Sequence, residues 1–190
     1  MPTRKVLAGF TLIELLVTVV LLSLLAGMAS TSWSTVIGSS KHRQMINELR
    51  LVFAVARSYA TDKRGLTTIC PLSEAQKCVD DWSLPIAIFT DKNNDKRPDS
   101  GRIHRIFNPV PSRSQLYSRT AGRGYFQLAP DGMSHGTLGS LVACSNMPNA
   151  PARMSYIALN IGGRLRVLDD KDGDGTIKLP WGPVLTCPKT

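Results

Sequence analysis

Acid is what this chain has least of. In its 190 residues, 14 Asp and Glu face 23 Lys and Arg, and only Glu14 precedes residue 48. The resulting net charge of +9 argues against basic partners and favours polyanionic ones, while leaving the fold open. Catalytic signatures are missing as well. His42, His104 and His135 are scattered, and there is no H-E-x-x-H, G-x-S-x-G or phosphate-cradling glycine loop. Asp131, Ser134 and His135 are neighbours in "DGMSH", but triads are assembled by fold geometry, so adjacency is no sign of one. The expectation is a protein that is not an enzyme. No C-x-x-C pair occurs among Cys70, Cys78, Cys144 and Cys187, and their spacing does not suit zinc.

What is present begins with an apolar run from Phe10 to Ala29, long enough to cross a bilayer. Arg4 and Lys5 precede it and hold that end on the cytoplasmic side. Glu14 interrupts it, although a charge inside a spanning helix costs about 2.5–3.5 kcal/mol on insertion scales. A secretory signal would place its small residue after the apolar core. Here Gly9 comes before it. An even cysteine count behind such a segment points to disulfides in an oxidising compartment. Three pairings are open; the favoured one joins Cys70 to Cys78, pinning a short loop, and Cys144 to Cys187, tying the C-terminal tail back onto the domain. On chain-entropy grounds these are worth about 2–3 and about 4 kcal/mol.

The residues "GFTLIELL" resemble the type III signal of type IV pilins and type II secretion pseudopilins. The resemblance implies cleavage by a prepilin peptidase between Gly9 and Phe10, and N-methylation of the new terminal Phe10. It also implies an assembly role for Glu14. Four residues of helix separate Phe10 and Glu14 by about 6 Å. One subunit's Glu14 can therefore pair with the Phe10 amine of a neighbour, so that two costly charges offset each other.

Beyond the apolar run, Met45, Leu49, Val52, Ala56 and Tyr59 recur at helical spacing. The pattern predicts one helix from residue 10 to about 63, loosened around Gly38-Ser39-Ser40 and stopped by Gly65. From residue 66, short apolar runs read as strands: "LPIAIFT", "GRIHRIF", "GYFQL", "GTLGSLVAC", "MSYIALNI" and "GRLRVLD". With no helix between them they predict an antiparallel sheet or sandwich packed on the N-terminal helix, an α+β fold. The expected organisation is a cleaved leader at 1–9, a transmembrane and filament-core half-helix at 10–29, an amphipathic half-helix at 30–65, and a β-rich head at 66–190.

The blocks "ICP", "IAIFTDKNNDKRPDSG", "YFQLAPDGMSHGTL" and "YIALNIGGRLR" are similar to the GspH/FimT family. That resemblance implies a type IV pilin-like fold and other pilins as filament partners. It also implies an inner-membrane protein whose head lies in the periplasm before it enters an extracellular pilus. Three roles stay open. One is a FimT-like minor pilin that binds double-stranded DNA in natural transformation; another is a FimU-like pilin that primes assembly without DNA; the third is pseudopilin H of type II secretion.

Within the head, Gly163, Arg164, Leu165 and Arg166 match the G-R-x-R motif that the family's DNA-binding members carry. Two arginines at i and i+2 share one face of a strand and can present a fork of donors to phosphate. The stretch 97–126 carries six arginines and His104 against one acid, Asp99, with Phe107, Tyr117, Tyr125 and Phe126 interleaved. Basic side chains with stacking aromatics suit a groove that tracks a nucleic-acid backbone. Its turn-borne members Arg113, Arg119 and Arg123 are the second rank of contacts. Asp170, Asp172 and Asp174 match the first half of a calcium loop, but Trp181 stands where the bidentate glutamate belongs. Calcium is the one cofactor candidate. Asp91, Asn93 and Asp95 repeat the alternation without its glycine.

Overall fold

The computed structural model describes residues 10–136, 138–147, 150–180, 182 and 184–187, with the side chains of 28–35, 147, 150 and 151 left aside. Gly9, Arg4 and Lys5 lie outside the described residues. Two compact units result: one runs to Ile37, and the other runs from Gly38.

Helix α1 spans Leu12–Lys63. Thr11 caps its start, its hydroxyl accepting the Glu14 amide at 3.3 Å, so "TLIE" supplies the amide half of a capping box. The helix continues through Gly38-Ser39-Ser40, where the two units meet in sequence. At the other end the Gly65 amide donates to the Ala60 carbonyl at 3.3 Å, with Arg64 left-handed at φ 47°. This is a Schellman closure in which an arginine holds the position glycine usually takes. Gly65 is the residue after it.

In the first unit, Leu12, Ile13, Leu15, Leu16 and most apolar side chains through Leu25 are exposed. Among the described residues no helix is long and apolar enough to cross a membrane.

In the second unit, strands β1 (Thr67–Pro71), β2 (Ile86–Thr90), β3 (Ile103–Phe107), β4 (Ser114–Arg119), β5 (Phe126–Leu128), β6 (Ser140–Met147), β7 (Ala150–Leu159), β8 (Leu165–Asp169), β9 (Thr176–Lys178) and β10 (Val184–Thr186) form three sheets. The orders are β3-β2-β1-β5, β4-β6-β7-β8 and β9-β10, and every pairing is antiparallel. The helical stripe Met45, Leu49, Val52 and Ala56 is fully buried against both larger sheets, meeting Ile69, Ile88 and Phe126 of one and Leu141 and Ile157 of the other. Phe126 anchors this core through edge-on contacts with Phe53 and Trp82, at 5.2 and 5.7 Å between ring centres.

Strands β1, β4, β9 and β10 have no counterpart among the strands expected from sequence. The reason is physical. β1 is buried on both faces and so lacks alternation, whereas "SQLYSR" is an edge strand with one buried residue. The two C-terminal strands have three residues each.

Disulfides join Cys70 to Cys78 and Cys144 to Cys187. The second ties the chain beyond β10 to the outer face of β6, where Val142, Met154 and Tyr156 are covered by Ile177, Leu179 and Leu185.

Candidate nucleic-acid interface

The G-R-x-R segment closes the β7–β8 hairpin. Asn160 organises the turn: its side-chain oxygen accepts the Arg164 amide at 2.9 Å, and its carbonyl accepts the Gly163 amide at 3.0 Å. Gly163 is buried and left-handed at φ 68°, and a Cβ there would sit 2.1 Å from the Gly132 carbonyl oxygen. A side chain cannot be accommodated against that backbone, so this glycine is required by packing. The turn is held from outside by the Ser134 amide, which donates to the Ile161 carbonyl at 2.9 Å.

Register places the arginines. Leu165 and Val167 of β8 pack on the core shared with the helix, so by alternation Arg164 and Arg166 take the opposite face. Arg166 pairs with Ala158, Ala158 with Ser140, and Ser140 with Arg119. Residues paired across strands share a face. Arg119 and Arg166 are thus the two ends of one row on the outer face, about 14 Å apart over three inter-strand steps. All three arginines are exposed. Among the described residues no carboxylate lies within ion-pair distance of them.

The rest of the 97–126 stretch does not form the expected groove. β3 carries Arg105, with Arg102 just before it, at the edge of one sheet, whereas β4 lies at the edge of another. Its aromatics are also spent. Phe107 and Phe126 pack in the central core, Tyr117 packs under the C-terminal hairpin, and Tyr125 packs beside the Cys70 cluster. None is left as a stacking platform, because in a small head these rings supply needed buried area. Arg123 sits in the turn that follows β4, its amide donating to the Thr120 carbonyl at 3.3 Å, close in sequence to Arg119. Arg113, left-handed at φ 64°, precedes β4 at its opposite end, about 20 Å from Arg119 at strand spacing.

The carboxylates of Asp170, Asp172 and Asp174 offer atoms within 4.8 Å of one another. Each of the two flanking side chains already has loop partners. Asp170 accepts the amides of Gly173 and Gly175, both at 2.8 Å, and Asp174 accepts the amide and hydroxyl of Thr176. Burial pushes the Asp170 carboxyl up, but hydrogen bonds from Asp172 and from the Gly175, Gly173 and Asp174 amides hold it below the usual range. The Asp170 contact raises Asp172 correspondingly. Self-capping of the loop accounts for this placement. Asp91 is no calcium ligand candidate: it is wholly buried and accepts from Thr68, Asp95, Lys96 and Gln127.

Sequence reasoning missed a buried relay around His42. Its Nδ1 lies 2.8 Å from the Ser145 hydroxyl and its Nε2 lies 2.8 Å from that of Ser155. Ser155 donates to the Asp169 carboxylate at 2.6 Å. Ser155 must then accept from Nε2–H, and Nδ1 accepts from Ser145, which also contacts Ser114 at 2.9 Å. The relay bolts α1 to β4, β6, β7 and β8. Ser145 is only 3% exposed, and its contact with His42 fastens the helix to the sheet. A polar residue inside a buried helical stripe was the available signal. By contrast, among the described residues no hydrogen bond joins the side chains of Asp131, Ser134 and His135; Asp131 and Ser134 bond instead to backbone at Met133 and Ile161.

Burial lowers the His42 pKa, Asp169 opposes that shift, and Arg153 reinforces it. The folded value lies below the unfolded one, so stability from neutral His42 is fully present above about pH 6.5 and is lost as pH falls through the folded pKa. A thermal midpoint that is level above pH 7 and declines in acid is expected. His104, also lowered by burial and by Lys63 and Arg102, contributes to the same window. Replacing His42 by Gln should therefore remove part of the decline but not all of it. A profile unchanged by His42→Gln would contradict the assignment.

Comparison with known proteins agrees with this architecture. Residues 45–163 match the family described as type II transport protein GspH, and residues 4–30 match the prokaryotic N-terminal methylation motif. Two crystal forms of the type IV minor pilin FimU of Pseudomonas aeruginosa are similar in fold, each with a TM-score of 0.50. One is 15% identical, spanning 68% of this chain and 97% of its own; the other is 16% identical, spanning 70% and 95%. No curated protein matches the chain.

Proposed function

We propose, from the premise that this chain belongs to the GspH family of type II transport proteins, that it is a minor subunit of a type IV pilus whose head binds double-stranded DNA during DNA uptake. The pilin or pseudopilin role follows from the family, the methylation motif and the fold. The DNA-binding refinement rests on one observation: Arg119, Arg164 and Arg166 occupy one exposed face of a sheet, and among the described residues no carboxylate lies within ion-pair distance of them. Guanidinium forks bind phosphate oxygens with charge-assisted bonds, and contacts of that kind position a protein on DNA without reading sequence. Arg123 extends the face, and Arg113 is an outlying contact.

The N-terminal unit has a separate task in this reading. A prepilin peptidase cuts between Gly9 and Phe10, and the bilayer covers the apolar side chains from Leu12 onward until neighbouring pilins replace it. Glu14 then pairs with the Phe10 amine of an adjacent subunit. The protein passes from the inner membrane, head in the periplasm, into an extracellular filament. Calcium at Asp170, Asp172 and Asp174 stays a subsidiary proposal, read by calcium-dependent change in the thermal midpoint.

The full chain in detergent micelles, titrated with fluorescent duplex DNA at several salt concentrations, tests the interface. Wild type should bind in a salt-dependent way. Arg164→Gln/Arg166→Gln should weaken binding and reduce the log–log salt slope by up to about 2, at most about one for each arginine–phosphate pairing removed. Undiminished binding by the double variant would move the site elsewhere, and no binding by folded wild type at low salt would remove the DNA reading. The family's own description, a type II transport protein, favours the second reading, pseudopilin H acting with other pseudopilins. A FimU-like subunit that primes assembly is the corresponding pilus alternative.

A further inference from the structure

A second charged site lies on the other side of the sheet that carries Arg166. Between α1 and the β7–β8 edge is a cleft of about 290 Å³, walled by Arg43 and Arg50 from the helix, Arg153 from β7, and Asp169 and Asp170 at the end of β8. His42 and Ser155 of the buried relay also line it. It faces the helix side of the sheet, since the neighbouring row Leu116, Ala143 and Ser155 points towards α1. Ser155 and Asp169 form a row three residues along from Ala158 and Arg166, so the cleft is distinct from the arginine face.

The distribution of hydrogen bonds in the cleft is uneven. Both acids are already served by neutral donors, Asp169 by the Ser155 hydroxyl and Asp170 by two loop amides. Among the described residues none of the three guanidiniums is within ion-pair distance of a carboxylate. Arg50 donates to the Asn47 side-chain oxygen at 3.1 Å. Fork donors matched to oxyanions therefore line the recess without an ion-pair partner among the described residues.

We propose that this cleft receives a carboxylate side chain from a neighbouring polypeptide, held by Arg43 and Arg153. Charge separates a carboxylate from a dianionic phosphate. His42 is kept neutral at pH 7 by burial, so three guanidiniums against two carboxylates leave one positive charge in the lining. A single carboxylate balances it; a dianionic phosphate would leave an uncompensated negative charge in a recess that already holds two acids. Concave shape acts in the same direction, since a projecting side chain enters a recess that a duplex backbone would bridge.

The test is an NMR titration of the full chain in detergent micelles at low salt. The probes are a blocked Gly-Glu-Gly peptide, its Gly-Gln-Gly counterpart, and inorganic phosphate. The glutamate peptide should shift the His42 ring and the Ser155 amide saturably, with a dissociation constant on the order of millimolar, and the glutamine peptide should not. Arg43→Gln/Arg153→Gln should weaken the glutamate peptide at least about tenfold, a change of about 1.4 kcal/mol. Both residues are exposed, so the thermal midpoint should hold. Absence of a saturable shift, equal shifts from the glutamine peptide, or binding that survives the double substitution would each overturn the proposal. Saturation by phosphate alone would overturn the carboxylate assignment.

Discussion

Replacing Asp91 by alanine is expected to cost about 3–5 kcal/mol of unfolding free energy, because it orphans donors that cannot reach water. Asp91 is fully buried. One carboxylate oxygen accepts the Asp95 amide at 2.9 Å; the other accepts the Thr68 hydroxyl at 2.9 Å, the Lys96 amide at 3.1 Å and the Gln127 amide group at 3.2 Å. Thr68 and Gln127 lie on paired strands β1 and β5, and both are buried. The carboxylate therefore joins the middle of a sheet to the loop after β2, where Asn94 and Lys96 are held left-handed at φ 58° and 64°. Asn is no rescue, because its amide hydrogens would face donors. Urea unfolding of wild type, Asp91→Ala and Asp91→Asn measures this, with both variants losing stability and hydrogen exchange accelerating first in the loop from Asp91 to Asp99. A loss under about 1 kcal/mol would mean that the loop amides and strand side chains find other partners.

Removing the Cys144–Cys187 bond should cost about 4 kcal/mol on the chain-entropy account, since it closes a loop of sequence separation 43. Cys70–Cys78, with separation 8, should cost about 2.5 kcal/mol on the same account. Packing adds to the larger effect. The bond holds the C-terminal hairpin over Val142, Met154 and Tyr156, and releasing it exposes that apolar patch next to the arginine row. Denaturation of Cys144→Ser/Cys187→Ser, with limited proteolysis of the C-terminal segment, tests the claim. Should the double variant lose less than about 1 kcal/mol, the hairpin would be held by its own buried residues Ile177, Leu179 and Leu185. Asp91 and this bond lie in different sheets without shared partners, so their effects should add.

The disulfides and the buried carboxylate differ in how legible they are along the chain. The short spacing of Cys70 and Cys78 and the tail position of Cys187 favoured the two disulfide pairs that the structure contains. Asp91 appeared in the sequence only as part of an alternating acid run. Its burial depends on Thr68 and Gln127, distant in the chain, and no local pattern encodes them.

Helix α1 and its buried stripe are written in the chain itself, because a 3.6-residue period is a local property and Met45, Leu49, Val52 and Ala56 express it. Most of the long strands, the N-terminal motif and the surplus of positive charge are local in the same sense. What becomes of that charge is settled only by three-dimensional pairing. Strand register, set by long-range contacts, brought Arg119 into one row with Arg166 and left Arg113 at the far end of its strand. Folding turned the aromatics of 97–126 inward, where a small head needs their area. It also gave Gly163 a packing role against Gly132 and His42 a place as a bolt between helix and sheet. Each of these depends on residues far apart in sequence meeting across a sheet, and periodicity along one strand carries no information about the strand beside it.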